Sequence, residues 1–296
     1  MEACAYYDQR TNQCYPLETH SINVSTALEK LFHKKLKAIP AKARLPGLSE
    51  RLLEAGILAG LLHDLGKASQ YYQDRVRSGE PGGFKYHEYL SALIIIEAAE
   101  KLRTDHGMNV EAALLLLVAG AVARHHAAMK DRHPTNLLSN PILKTNQNPL
   151  KEINLATAGL DEQTIENAIP LNRLPTWLRD PLHEAIHSIQ KIHDNDIINI
   201  KLRENLTAHN LAAKILGNET TEPLIKTGTR EDMTPIIIGL LYRLTGALIV
   251  SDILVAGCER RPQQGPQTAY AKSWINELLP NHTIKEACNK LTATHS

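Results

Sequence analysis

Residues 49–67 read SERLLEAGILAGLLHDLGK. Leu, Ile and Ala recur there at helical rather than alternating spacing, which predicts a helix with one buried face. His63 falls in phase with Gly56, Ala59 and Gly60, and Asp64 with Ile57, Gly60 and Leu61. An imidazole and a carboxylate therefore sit on an inward, small-residue flank, where a polar group without a partner is costly. The two side chains project about 100° apart, so both can reach one ion lying beside the helix. A bare His-Asp pair arises often by chance. An apolar helix, the pair, a glycine and a lysine in that order are what a phosphate-handling metal site can use.

The same periodicity extends in both directions. Phe and Trp are rare, with 2 of each, and Leu, Ile and Ala are abundant, while alternating segments are nearly absent. The fold class is therefore all-α. Helices are predicted at 20–38, 49–65, 85–104, 109–127, 176–193, 200–216 and 235–257, with weaker ones near the C-terminus. From Arg132 to Pro175 the text turns to Asn, Pro and Thr, which predicts a long surface excursion between two helical groups. A helical extension follows about residue 257. Both groups contribute to the site proposed below, so residues 1–296 read as one domain.

A hydrophobic fraction of 43% over 296 residues is ample for a packed core. The 33 basic and 32 acidic side chains nearly cancel, which excludes a uniformly basic coat and leaves any DNA binding to a local patch. Cys4, Cys14, Cys258 and Cys288 form no Cys-x-x-Cys pair, so a zinc ribbon is excluded, and a chain of this size does not need disulfides. A reducing cytoplasm is the expected setting. MEACAYYDQR has charges where a signal peptide is apolar, and the runs Ala112–Ala123 and Ile236–Val255 are broken by Gly, Arg or Thr. No membrane span is expected.

The chain has 14 histidines, and a single His on a helix is ordinarily solvated or hydrogen-bonded. Several here instead share phase with apolar stripes. His20 precedes Val24, Ala27, Leu28 and Leu31 at helical spacing; His87 matches Leu90, Ser91 and Ile94; His125 and His126 follow Val118, Ala119, Ala121 and Val122; Asp252 follows Thr245, Leu248 and Ile249. Metal coordination is the commonest way to satisfy so many inward polar groups together.

LLHDLGKASQYYQ (61–73), HEYLSALI (87–94), ARHHA (123–127) and SDILVAG (251–257) occur in an order that resembles the CRISPR-associated HD nucleases of type I interference. LETHSINVSTALEKLF (17–32) resembles their leading ligand segment. The resemblance implies a compact helical HD-domain phosphohydrolase fold. It implies that His20, His63, Asp64 and Asp252 hold one metal and that Asp64 bridges to a second, held by His87, His125 and His126. His33 is an alternative to His20, but it lies in the basic stretch HKKLK, which reads as a solvated face. Catalysis would centre on Asp64 and His63, with Lys67 near a substrate phosphate or the leaving oxygen. Arg124, Lys130 and Arg132 would form a local basic lip for the substrate.

His-rich ligation favours manganese, cobalt, nickel or iron, with magnesium possible. The expected substrate is single-stranded DNA. The family's nuclease is commonly fused to a helicase, and GLLHDLGKA is not a P-loop: five residues separate Gly60 from Gly66, and Ala68 stands where Ser or Thr is needed. A stand-alone nuclease working with a separate helicase subunit and the CRISPR RNA-guided complex is the expectation. An HD phosphohydrolase for nucleotides or cyclic nucleotides would use much the same ligands, and a non-catalytic docking subunit with a structural metal is an alternative of another class.

His183, Glu184 and His187 spell the H-E-x-x-H zinc-peptidase motif, with His193 spaced as a third ligand. Gln190 replaces the required glycine. Leu178, Leu182, Ala185, Ile189 and Ile192 form the expected buried stripe, which leaves His183 and His187 on a solvated face.

Overall fold

The computed structural model describes residues 2–42, 46–80, 83–126, 149–160, 162–166, 168–192, 194–217, 230–261 and 264–292. A short antiparallel hairpin, β1 (Cys4–Asp8) and β2 (Gln13–Pro16), comes first. The rest is helical: α1 (Leu17–Lys42), α2 (Pro46–Leu62), α3 (Gln70–Ser78), α4 (His87–Thr104), α5 (Asn109–Val122), α6 (Pro149–Ala158), α7 (Glu162–Glu166), α8 (Thr176–Gln190), α9 (Asn195–Leu206), α10 (Ala208–Gly217), α11 (Arg230–Arg260), α12 (Ala269–Leu278) and α13 (Ile284–Thr292). The all-α fold class holds.

Two helices are buried on every side over most of their length and form the centre. In α4 every residue from His87 to Ala99 is buried, and in α5 every residue from Ala112 to Val122. A helix without a polar face has to be surrounded, and each Leu or Ile so enclosed stabilises the fold by about 1.5–3 kcal/mol. α4 packs on α5 and α8, α1 on α2, and α11 lies against α1, α2, α5, α10 and α13. Among the described residues, Met233–Arg260 is the one helix long and apolar enough to cross a membrane. Here Leu241, Leu244 and Leu248 are buried in the same core as α1, α2 and α5.

Two glycines let elements approach closely. A Cβ on Gly60 would lie 2.5 Å from the Ser25 Cα, so this glycine allows α2 to cross α1 at backbone contact. A Cβ on Gly66 would lie 2.3 Å from the His87 carbonyl oxygen, so the exit of α2 rests directly on the start of α4.

The structure departs from expectation in four places. The hairpin was not anticipated: the strands are short, and Cys4 and Ala5 are buried by contacts with the rest of the chain rather than by their own alternation. The expected surface excursion is packed over its second half. Ile153, Ala156, Leu160, Ile165, Ala168 and Leu174 are all buried, because α6 lies against α3, α4 and α9. Residues 132–148 of that excursion lie outside the described residues. The four cysteines form two disulfides, Cys4–Cys14 across the hairpin and Cys258–Cys288 between α11 and α13. Such bridges persist in oxidising surroundings; in a reducing cytoplasm the same pairs would stand as adjacent thiols. Finally, α2 ends at Leu62 and α5 at Val122, so His63, Asp64, His125 and His126 lie in the turns beyond those helices rather than on their faces.

Candidate metal centre

The helix ends explain how the histidines are aimed. His63 Nδ1 lies 2.9 Å from Gly60 O, His87 Nδ1 2.5 Å from Phe84 O, and His125 Nδ1 2.6 Å from Val122 O. Each ring thus donates Nδ1–H to a carbonyl three residues upstream, a contact that satisfies an orphan carbonyl of a helix end or turn. The proton on Nδ1 leaves a lone pair on Nε2, and that atom faces inward. The Nε2 atoms of His63, His87 and His125 are buried and make no well-formed hydrogen bond, although carboxylate oxygens stand 2.8–3.8 Å away. Three buried lone pairs without donors are costly as they stand and suited to a cation.

Asp64 is the hub. Its Oδ1 lies 2.8 Å from His87 Nε2 and 3.7 Å from His125 Nε2; its Oδ2 lies 3.4 Å from His63 Nε2, 3.6 Å from His20 Nε2 and 2.6 Å from Lys67 Nζ. The turn after Asp64 is held by Lys67 N–H donating to Asp64 O and by Gly66 N–H donating to Ser91 Oγ, whose hydroxyl donates to His87 O. The position of Asp64 is therefore tied to that of His87. Asp252, from the middle of α11, brings Oδ1 to 3.2 Å from His20 Nε2 and 3.8 Å from His63 Nε2.

Two groups of potential ligands result, each with ligand atoms within 4.8 Å of one another: Asp64, His87, His125 and His126, and His20, His63 and Asp252. All seven residues that the sequence nominated as ligands are thus brought to one place. Residues missed by sequence reasoning are Glu259, whose Oε2 accepts from His20 Nδ1 at 2.7 Å, and Asn23, which donates to Glu259 Oε1 at 2.9 Å. A carboxylate behind a histidine fixes its tautomer and raises its basicity. The helical spacing Asp252–Glu259 on α11 was the only available signal.

Electrostatics differ around the cluster. Burial opposes a charge on His20, yet Glu259 and Asp252 push its pKa up to about 10. In the ion-free protein that proton stabilises the fold below the ordinary value near 6.5 and ceases to do so as pH rises through about 10. Ligation through His20 Nε2 would require loss of the proton on that nitrogen. Burial pushes His87 down, and burial together with His125 and His87 pushes His126 far down, so both rings are neutral and free to ligate. Burial would raise Asp64, but His63, Lys67 and His87 hold it well below the usual carboxylate range.

Residues 6–177 match the family model of the Cas3 HD domain. The chain belongs to the Cas3 HD-domain family. No curated protein and no solved structure matches it. Membership makes this Cas3 HD-domain protein a metal-dependent hydrolase and a nuclease of CRISPR defence, with nucleic acid as its class of substrate. The donor set fits a divalent ion: imidazole nitrogens with orphaned lone pairs, and carboxylates held ionised.

The Cas3 HD chain does not bring every nominated residue to this centre. Arg124 is buried, with Nη1 donating to Gly120 O at 2.8 Å and Nη2 donating to Leu206 O. It clamps α5 to the end of α9 and does not line the cleft beside the metal centre, which corrects its expected place in a substrate lip. Replacing it with Ala strips both carbonyls of a donor, so Arg124→Ala is expected to lower unfolding free energy by about 1–2 kcal/mol in urea titration without altering DNA affinity. A tenfold affinity loss at unchanged stability would restore the substrate role. Lys130 and Arg132 lie outside the described residues.

The peptidase motif does not assemble. On α8, Leu178, Leu182, Ala185 and Ile189 are buried as expected, His183 Nε2 lies 3.9 Å from Glu166 Oε1, and Glu184 Oε2 lies 3.9 Å from His106 Nε2. His193 is outside the described residues, and among those described no metal-competent group includes His183 or His187.

Proposed function

We propose that this chain hydrolyses phosphodiester bonds in single-stranded DNA at a pair of divalent ions, as the stand-alone nuclease of type I CRISPR interference. The observation that carries the reading is the division of Asp64: one oxygen faces His87 and His125, the other His20 and His63. On this reading His20, His63 and Asp252 would hold one ion and His87, His125 and His126 the other, with Asp64 supplying a carboxylate oxygen to each group. Manganese, cobalt, nickel or iron suits the nitrogen-rich set better than magnesium. Bound divalent ions supply an acidified water as nucleophile and neutralise charge at the phosphate.

The protein's own groups do the rest. His63, His87 and His125 keep their protons on Nδ1 and present Nε2 to the centre. Glu259 orients His20. Lys67 Nζ, largely buried over the Phe84 ring, holds Asp64 Oδ2 and lines the cleft, where it can turn to a phosphate oxygen or the leaving oxygen. A duplex has to be unwound before one of its strands reaches the metal centre alone. We assign that step to a separate helicase subunit and the RNA-guided complex, in the cytoplasm with both cysteine pairs reduced.

The deciding experiment incubates circular and linear single strands, blunt duplex, nucleotides and cyclic nucleotides with manganese, cobalt, nickel, iron, magnesium or a chelator. Cleavage of circles with transition metals, poor cleavage of duplex and no activity under chelation are expected. Hydrolysis of nucleotides with intact circles would make the protein a nucleotide phosphohydrolase. Tight metal binding with no hydrolysis of any substrate would leave a docking role.

A further inference from the structure

The metal centre opens into a cleft of about 500 Å³ whose far side holds Tyr6, Arg260 and Arg261. A volume of this size accommodates a ligand larger than one phosphate group. Tyr6 stacks on Tyr15 with ring centroids 4.8 Å apart and planes within 9°, and the Arg260 guanidinium lies 4.7 Å from the Tyr6 centroid. Both arginines are exposed, and among the described residues neither has a carboxylate within salt-bridge distance. The chain's near-zero net charge gives this local concentration of unpaired cations its meaning.

The wall is fixed relative to the metal centre. Gln73 grips β1 on both sides, accepting from Cys4 N–H and donating to Cys4 O, and also donates to Lys67 O, in the turn that positions Asp64. Leu17 N–H donates to Ala3 O, which fastens the hairpin to the helix that carries His20. Thr268 lines the same cleft and caps α12 by accepting from Ala271 N–H, so the electropositive end of that helix adds to the field of the arginines. A stacked guanidinium is already ordered and loses little freedom when it forks onto a phosphate. Tyr6, itself stacked on Tyr15, is the platform that holds the Arg260 guanidinium in the cleft lining.

We infer that Arg260 and Arg261, the first ordered by its stack on Tyr6, form a phosphate-binding wall beside the metal centre that engages backbone phosphates flanking the one at that centre. This rests on the phosphodiesterase reading above. With one phosphate at the metal centre, the two guanidiniums would take flanking phosphates, Arg260 held in place by Tyr6. The wall joins the N-terminal hairpin to the C-terminal end of α11, and its arginines lie beyond the span matched by the family model.

The test measures binding of a fluorescent 12-nucleotide single strand to the metal-loaded full chain by anisotropy across a salt series. Bound metal and circular dichroism serve as checks on each variant. Arg260→Ala is expected to weaken binding about tenfold and to flatten the slope of log affinity against log salt by about 0.7, the value for one lost phosphate contact on a single strand. Arg260→Lys should restore the slope but not the full affinity, and Tyr6→Leu, which frees the guanidinium but keeps its charge, should weaken binding about threefold with the slope unchanged. A mononucleotide should bind wild type and all three variants alike. Unchanged affinity and slope in Arg260→Ala with wild-type metal content would overturn the wall, as would equal losses for strand and mononucleotide. Because binding is read without cleavage, a wild-type protein that binds the strand but never cuts it would count against the nuclease reading and not against the wall.

Discussion

In an Asp64→Ala protein, DNA cleavage is expected to fall by on the order of 10³-fold or more, with loss of bound metal. Among the described residues Asp64 is the one whose two oxygens face both ligand groups, so its removal takes a negative donor from each at once. The four buried histidines would then keep Asp252 beside His20 and His63, Glu259 beside His20 and Glu88 beside His87 as their carboxylate neighbours. Lys67 would also lose the carboxylate that holds it at 2.6 Å. The control is His183→Ala, whose half-exposed ring belongs to no ligand group and should leave cleavage and metal content unchanged. Circular dichroism separates loss of the site from loss of fold. An active Asp64→Ala protein beside a metal-free, inactive His183→Ala protein would sink the HD assignment and move the centre to α8.

Asp252→Ala should act on one half of the site. Asp252 Oδ1 approaches His20 and His63 but belongs to the group that excludes His87, His125 and His126. Its removal leaves the second group intact, so metal content should drop from two ions per chain to one, measured by elemental analysis after gel filtration. Losing one ion's share of transition-state charge stabilisation, several kcal/mol, corresponds to a fall on the order of 10²- to 10⁴-fold in cleavage. His126→Ala, acting on the other group, should also leave one ion. A wild-type content of one ion that Asp252→Ala does not change would refute the division of the centre into halves.

Much of the scaffold was legible because it is written locally. The apolar runs that make α4 and α5 central are continuous in sequence, and a run without a polar face has only one place to go. Helix ends were less legible. The phase argument carried His63, Asp64, His125 and His126 along helices that stop before them, since the side chains that terminate those helices are the histidines themselves. It still pointed inward correctly, because a residue in the turn after a buried helix is carried into the same interior.

Arg124 shows the opposite failure. Its neighbours Lys130 and Arg132 suggested a basic surface patch, whereas the carbonyl of Leu206, 82 positions away, draws its guanidinium into the interior. The packing of residues 149–174 was hidden for a similar reason: Asn, Pro and Thr between them read as surface, but α3, α4 and α9 supply the cover.

By itself the sequence determined an all-helical chain and the order of motifs that resembles the Cas3 HD nucleases, because helical period and motif spacing are properties of neighbouring residues. Tertiary structure alone decided that His63, His87 and His125 turn Nε2 to the centre, and that Glu259 stands behind His20 across 239 positions of chain. It also set Arg260 on Tyr6 at the lip of the cleft. These outcomes depend on which helix ends meet, and that follows from burying α4 and α5 and from the close approaches at Gly60 and Gly66, a global balance of packing that no local pattern records.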